Sequence, residues 1–407
     1  MVHLGISTTP CLPDAKVSES IDYGDLIDNE HDDVSTIEAE AEEEVRYGFP
    51  PREYYPIRIG EILNQTYHIV HKISHGGFST VWLAEDLKRQ RNVAVKVMVS
   101  DFYGEVEYQI QTALHQTVQD KSHLVLYEDV FLLSSPETNH YVFVFPFLGP
   151  SAGSIVGGQL PIPTRMHAAK QLLQTIETLH KSGFVHRDIN SMNALWGSTL
   201  PENLSIADKY KILGRPLRKL IPYTPWKQGE LVKSIDFPIP FCSEKIHLAD
   251  FGTTMQIDNL VMLNDKVSNV IPPDDYCSPE QFHGATPHYS CDMWSYMCVF
   301  STLYFGFPLF RNLNNVVAYL GPLPEYLKGK YLWPKSSKDE WYDQNTTATA
   351  SLEKRIRFHK PELSSIERNL VLSVLSKGFC LEPKHRLTAS QLLRDPDFNA
   401  LINLHCG

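Results

Sequence analysis

Four short stretches of this 407-residue chain hold the side chains that moving a phosphoryl group would need. The first is the turn Ser74-His75-Gly76-Gly77-Phe78-Ser79, followed by Lys96 within Val93-Ala94-Val95-Lys96. A glycine-bearing hairpin lets backbone N–H groups approach phosphate oxygens, and a lysine on the next strand can pair with the α- and β-phosphates. Alone, two glycines in a turn mark an ordinary hairpin more often than a nucleotide site. The second stretch is His186-Arg187-Asp188-Ile189-Asn190-Ser191-Met192-Asn193. Here Asp188 is suited to accept a hydroxyl proton, and Asn193, five residues on, to ligate magnesium. The third, Asp250-Phe251-Gly252, offers a carboxylate for a magnesium ion that bridges phosphates. The fourth is Ser278-Pro279-Glu280 with Asp292-Met293-Trp294-Ser295 behind it, and Arg386 is a candidate buried ion-pair partner for Glu280.

These groups work only if regular elements hold them. Residues 67–70, 81–85 and 92–99 are β-branched, aromatic or alternating, as are 124–133 and 140–147, so each reads as a strand. Residues 105–116 read as one helix among them. Residues 150–163, rich in Gly, Ser and Pro, read as a linker, and helical spacing prevails beyond it. Residues 164–182 place Met166, Ala169, Leu172, Leu173, Ile176 and Leu179 on one helical face. Residues 292–305 are apolar nearly all round and read as a buried helix; 366–379 and 388–393 add two more. The expected organisation is an acidic tail (1–48), a strand-rich half (49–149), a helical half (150–401) with an insertion near 197–245, and a short end (402–407). The insertion contains Leu217, Leu220, Ile221, Trp226, Phe237 and Phe241, so it is expected to pack against the rest. The expected fold class is α+β.

The net charge of −11 is local: residues 1–48 hold 13 acids against Lys16 and Arg46, and the remainder balances at 35 acids and 35 bases. Such a tail, poor in aromatics, is expected to be disordered and self-repelling. It is read either as a solvating extension or as an autoinhibitory or docking arm. A neutral body argues against direct nucleic-acid binding. No uninterrupted apolar run of about 18 residues points to a membrane span, and the first residues lack the charged and apolar regions of a secretory signal. The seven cysteines are scattered and contain no CxxC pair, which argues against a disulfide framework or a structural zinc site and for a reducing compartment, cytoplasm or nucleus.

Taken in this order and on these elements, the four stretches resemble the protein kinases. A narrower likeness rests on Tyr55-Pro56-Ile57-Arg58-Ile59-Gly60-Glu61-Ile62-Leu63-Asn64, on Tyr67-His68-Ile69-Val70 and on Phe78-Ser79-Thr80-Val81-Trp82-Leu83-Ala84. These resemble the opening segment of the SR-protein kinases. The 62 positions from Asp188 to Asp250 are similar to the insertion of that family in its short, fungal form. Gly321-Pro322-Leu323-Pro324 resembles the segment after its helix G. The likeness spans roughly residues 50–400.

It implies a two-lobed kinase fold, ATP and Mg2+ as cofactors, and a monomer that phosphorylates serine or threonine in Arg/Ser-rich proteins of the splicing-factor type. Asp188, Lys96 and Asn190 would be catalytic, and Asn193 and Asp250 would hold the metal. Ser74, Gly76, Gly77, Val81 and Ala94 would surround the nucleotide. Phe145 would be the gatekeeper, and Pro146, Phe147 and Leu148 the hinge. Proline lacks an N–H but keeps the carbonyl that accepts from the adenine amine, and the Leu148 N–H would donate back. The partner of Lys96 is assigned to Glu107, with Glu105 as the alternative. An acidic docking groove would fall to Glu325, Asp339, Glu340 and Asp343, among which Lys328, Lys330, Lys335 and Lys338 are interleaved.

Some positions depart from the pattern. Ser74 and Ser79 replace glycines, and Arg187 stands where this family has threonine. Arg187 would pair with a phosphorylated Thr253, Thr254, Ser268 or Tyr276, or be satisfied by backbone carbonyls or by Asp274 and Asp275. Asn190 stands where a lysine normally meets the γ-phosphate, and Pro273 where that lysine's threonine partner belongs. Losing one such contact costs about 10²–10³ in rate. Three readings follow: a slow but competent Ser/Thr kinase in which Asn190 donates instead, a non-catalytic scaffold, or a tyrosine kinase. Because Lys96, Asp188, Asn193 and Asp250 all remain, an active enzyme is expected.

Overall fold

The computed structural model describes residues 22–27, 54–99, 101–155, 159–221, 226–257, 272–327, 330 and 351–406. It divides into two compact units. Among the described residues no helix is long and apolar enough to cross a membrane.

The first unit comprises Met1–Thr112, Val125–Gly149 and Ser198–Cys242. Its strands begin with β1 (Asp25–Leu26), β2 (Ile62–Leu63), β3 (Tyr67–Gly76), β4 (Ser79–Asp86), β5 (Arg91–Met98), β6 (Asp129–Ser134) and β7 (Asn139–Pro146). The last six form one antiparallel sheet in the order β2-β3-β4-β5-β7-β6. Alternation sorts the side chains: Tyr67, Ile69, Trp82, Ala84, Val93, Val95, Val142 and Val144 meet in a core with Phe131. The helix expected at 105–116 runs Asp101–Thr117. The expected strand 124–133 begins only at Asp129; before it Leu124 makes a single bridge to Leu248.

The insertion, drawn in the sequence as part of the helical half, folds with this strand-rich unit. Ser205 caps its helix Ile206–Leu213 by accepting from the Asp208 N–H. The buried face of that helix lays Tyr210 and Leu213 onto Val70 and Leu83. The Tyr210 hydroxyl donates to the Val70 carbonyl (3.1 Å), and the buried Lys209 ammonium meets Glu85 at 2.5 Å. Phe237 lies 6.0 Å from Phe147 between ring centres. Further on, Leu217–Leu220 and Glu230–Val232 pair as a short hairpin, and the buried Glu230 carboxylate accepts from the Ile59 N–H and from Arg218.

The acidic segment is not featureless where it is described. β1 adds in parallel to Leu217–Leu220, Arg215 bonds Asp22 and Asp25, and the Tyr23 ring covers Gly60. Gly60 has φ +87° and no room for a Cβ, which would sit 2.8 Å from that ring. An expectation built on composition therefore fails for residues 22–27, because the partners of this stretch lie some 190 positions away. Arg215→Ala is expected to speed amide exchange at Asp25 and Ile27 about tenfold; these donate to Pro216 and Arg218 at 2.8 and 3.0 Å. Unchanged protection there would mean that the ion pairs do not hold the strand.

The second unit comprises Ala113–Leu124, Pro150–Gly197 and Ser243–Gly407. Its centre is the pair of helices Ile162–Lys181 and Tyr289–Phe305. The first buries Met166, Ala169, Leu172, Leu173, Ile176 and Leu179, as its spacing predicts. The second is buried nearly all round. Ser365–Gly378, Ala389–Arg394 and Pro396–Cys406 pack around them, and Thr388 caps the middle one in a reciprocal pair with Gln391. Leu352–His359 and Pro396–Cys406 are helices that the sequence reading did not single out.

Candidate active site

In the first unit the sheet register gathers the nucleotide-site candidates on one face. Directly opposed residues of an antiparallel pair share a face. Ser74 opposes Val81, Val81 opposes Lys96, Leu83 opposes Ala94, and Ala94 opposes Phe145. Gly76 ends β3 opposite Ser79, at the foot of the Gly77-Phe78 turn, and a Cβ on Gly76 would meet nothing within 4 Å. The Tyr54 hydroxyl holds the Gly76 carbonyl at 2.8 Å. Pro146 ends β7, with Phe147 and Leu148 half-buried just beyond.

Lys96 is held by Glu107 through bonds of 3.0 and 2.8 Å, and Gln111 donates to the same carboxylate at 2.9 Å. Glu107 is buried, and one helical turn separates it from Gln111, so the pair is locked at both ends. Glu105, the alternative, is exposed and accepts only a 3.3 Å bond from Gln109 among the bonds described.

In the second unit the loop 186–193 is built around Asp292, an acid set inside an otherwise apolar helix. Its carboxylate accepts from the backbone N–H groups of His186 (2.8 Å) and Arg187 (2.9 Å) and meets the His180 ring at 3.0 Å. The loop is thereby held in a strained form, with Arg187 at φ 72°; outside the loop, Asp250 is likewise at φ 64°. Such backbone costs about 1–3 kcal/mol per residue and persists where the surroundings enforce it. Arg187 donates to the Thr253 carbonyl at 3.2 Å, which is the backbone-carbonyl alternative for this side chain. Thr254 and Tyr276, two of its candidate phosphate acceptors, are buried, and Ser268 lies outside the described residues.

Asp188 is the centre of the loop. One carboxylate oxygen accepts from the Asn190 amide (2.9 Å), and the other from the Asn193 amide (2.8 Å). Asn190 also takes the Met192 and Asn193 N–H groups on its own oxygen, so it closes the loop on itself. Burial first, then the charge of Asp250, pushes Asp188 up to about 7, while the two amides pull it down. Asp250 is brought there by its neighbour: the Ala249 N–H donates to the Asn193 carbonyl at 2.8 Å, and the His186 ring meets the Ala249 carbonyl. Phe251 is buried against the His186 ring.

Asn193 spends its amide nitrogen on Asp188 and keeps its oxygen, and Asp250 supplies a carboxylate beside it. Hard oxygen donors in so small a number suit Mg2+, which is usually held by one or two carboxylates together with substrate phosphates. Behind the loop, Arg386 bonds both oxygens of Glu280 at 2.6 and 3.1 Å, fully buried, as the sequence anticipates. Asp292 was the anchoring residue that the motif reading left without a role; an acid in a run of buried apolar residues was its signal.

Known proteins place this arrangement. The protein kinase domain model matches residues 67–215 and 239–398, most of the chain. Arabidopsis thaliana serine/threonine-protein kinase AFC1 is 26% identical over 87% of this chain and 76% of its own length. Mouse SRSF protein kinase 3 is 32% identical over 43% of this chain and 31% of its own. The crystal structure of the PF14_0431 kinase domain superposes with a TM-score of 0.60 at 20% identity, covering 85% of this chain and 98% of that one. With the fold, the loop around Asp188 and the family model in agreement, the chain belongs to the protein kinase family, among relatives of the serine/threonine and SR-protein kinase kind.

Proposed function

We propose that this chain transfers the γ-phosphoryl group of ATP to serine or threonine in Arg/Ser-rich proteins. The observation that carries the reading is the Asp188 carboxylate, fixed through both oxygens by Asn190 and Asn193. In this role Lys96, kept in place by Glu107, anchors the α- and β-phosphates. Magnesium, when bound, neutralises charge on the phosphate oxygens, and Asn193 and Asp250 are the residues that would hold it. Asp188 orients the attacking hydroxyl and takes its proton. Asn190 was assigned to the chemistry directly; with its amide on Asp188, it acts in this reading by aiming the base.

The substrate class rests on the likeness to SR-protein kinases, one of whose members is named for SRSF proteins. Of the acidic residues suited to bind arginine, Glu325 is exposed, whereas Asp339, Glu340 and Asp343 lie outside the described residues, as do Lys328, Lys335 and Lys338. Radiolabelled ATP with an Arg/Ser peptide tests the reading on wild type and Asp250→Ala. Incorporation by wild type and a loss of at least about 10² in the variant is the expected result. Equal labelling by both proteins, or by neither, sinks the enzyme; phosphotyrosine in the product overturns the hydroxyl assignment.

A further inference from the structure

The missing lysine–threonine contact leaves a mechanical problem. In the pattern that this chain departs from, that contact ties the catalytic loop to the segment that receives the protein substrate. Here the Asn190 amide is committed to Asp188, and Pro273 has no polar side chain. Another pair spans the same gap. The Ser191 hydroxyl lies 2.7 Å from the Tyr276 hydroxyl, with both residues buried.

Each end of this contact is fixed from behind. The Tyr276 carbonyl accepts from Ser295 on the buried helix at 2.8 Å, and the Tyr276 N–H donates to the Pro273 carbonyl at 2.8 Å. The Ser191 carbonyl accepts from the Gly153 N–H at 2.9 Å. Any Cβ on Gly153 would come within 2.6 Å of the Ser191 hydroxyl and 2.7 Å of the Met192 sulfur, so a larger residue there would push the Ser191 side chain aside. Burial raises the Tyr276 phenol above its usual range, so the phenol keeps its proton, and either hydroxyl can donate to the other.

We propose that Ser191 and Tyr276 form a latch that positions the substrate-receiving segment against the catalytic loop, and so set acceptance of the protein substrate without touching the nucleotide. The inference rests on the kinase reading and deepens it. Ser191 sits three residues after Asp188, and Tyr276 four before Glu280, so one hydroxyl pair joins the base to the start of the Glu280–Arg386 anchor. Both are positioning residues.

The test is a cycle of Ser191→Ala, Tyr276→Phe and the double variant. Each keeps the ring or the Cβ, so packing is preserved. A buried hydrogen bond of this kind predicts about a three- to tenfold loss of kcat/KM for the peptide in each single variant. The double variant should be no worse than either single, because the two share one interaction. KM for ATP should stay within about twofold, which general loosening of the fold would not allow. Amide exchange at Tyr276 and Cys277, measured on the same proteins without substrate, should rise in both singles and no further in the double. Additive losses, a matching rise in KM for ATP, or unaltered exchange would overturn the latch. Raised and non-additive exchange in a protein that transfers no phosphate would leave the latch standing and remove the kinase activity instead.

Discussion

Arg386→Met is expected to lower the unfolding free energy by about 3–5 kcal/mol, the largest stability effect of any single change considered. The guanidinium is fully buried, bonds both Glu280 oxygens, donates to the Ser290 and Cys380 carbonyls, and stacks on Trp294 with 5.0 Å to the ring centre. Removing it strands a carboxylate that is itself buried, and leaves those carbonyls without their donor. Glu280→Gln should also be destabilising, since it leaves the buried Arg386 cation without its counter-charge, although the amide oxygen still accepts one bond. The Glu280→Gln/Arg386→Met double variant should recover part of the loss. Chemical denaturation checks the series. A loss below about 1 kcal/mol for Arg386→Met would mean that the pair is solvated in the folded protein.

Asp188→Ala is expected to reduce kcat by about 10²–10⁴ while leaving Mg-ATP affinity within a few-fold, since its role is to the hydroxyl and not to the phosphates. The wild-type pH profile follows from the environment of the same group. A base must be ionised to accept a proton, and burial with the Asp250 charge raises Asp188 to about 7. The peptide kcat/KM should therefore fall as the pH drops through the range in which Asp188 takes up its proton, a limb that Mg2+ on Asp250 would draw below 7. The limb belongs to the Asp188–Asp250 pair as a unit. Asn190→Ala removes a donor that stabilises the ionised form, so it should move the limb to higher pH as well as lower the plateau. A profile flat from pH 5.5 to 8.5 would show that proton transfer to Asp188 does not limit the reaction.

How much of this was legible in the sequence differs by the range of the interaction. The strands that carry Lys96 and Phe145 followed from alternation, and the helix Ile162–Lys181 from its apolar spacing, because both patterns are local. Asp188, Asn193 and Asp250 were legible as spaced motifs, although their mutual contacts, including the Asn190 amide on Asp188, needed coordinates. Glu107 was chosen over Glu105 on helical position, and its bonds to Lys96 agree. The home of the insertion was not legible. Its apolar residues say that it packs, but Tyr210 meets Val70 across 140 positions, and no local pattern encodes that. Ser191 with Tyr276, 85 apart, was missed for the same reason.

The route of the chain through the first unit has a consequence for biogenesis. Its sheet is complete once β7 has been made, yet Val70 and Leu83 pack with Leu200, Tyr210 and Leu213 and with Phe237 and Phe241, which follow after a long stretch of the second unit. At ribosomal rates of about 5–20 residues per second, the interval between β7 and Phe241 lasts roughly 5–20 s. During it the nascent sheet carries an uncovered apolar face, a natural target for a chaperone on the translating ribosome. The first unit is complete in sequence only at Cys242, and a truncation ending at Gly149 would release its sheet without Leu200, Tyr210 and Leu213.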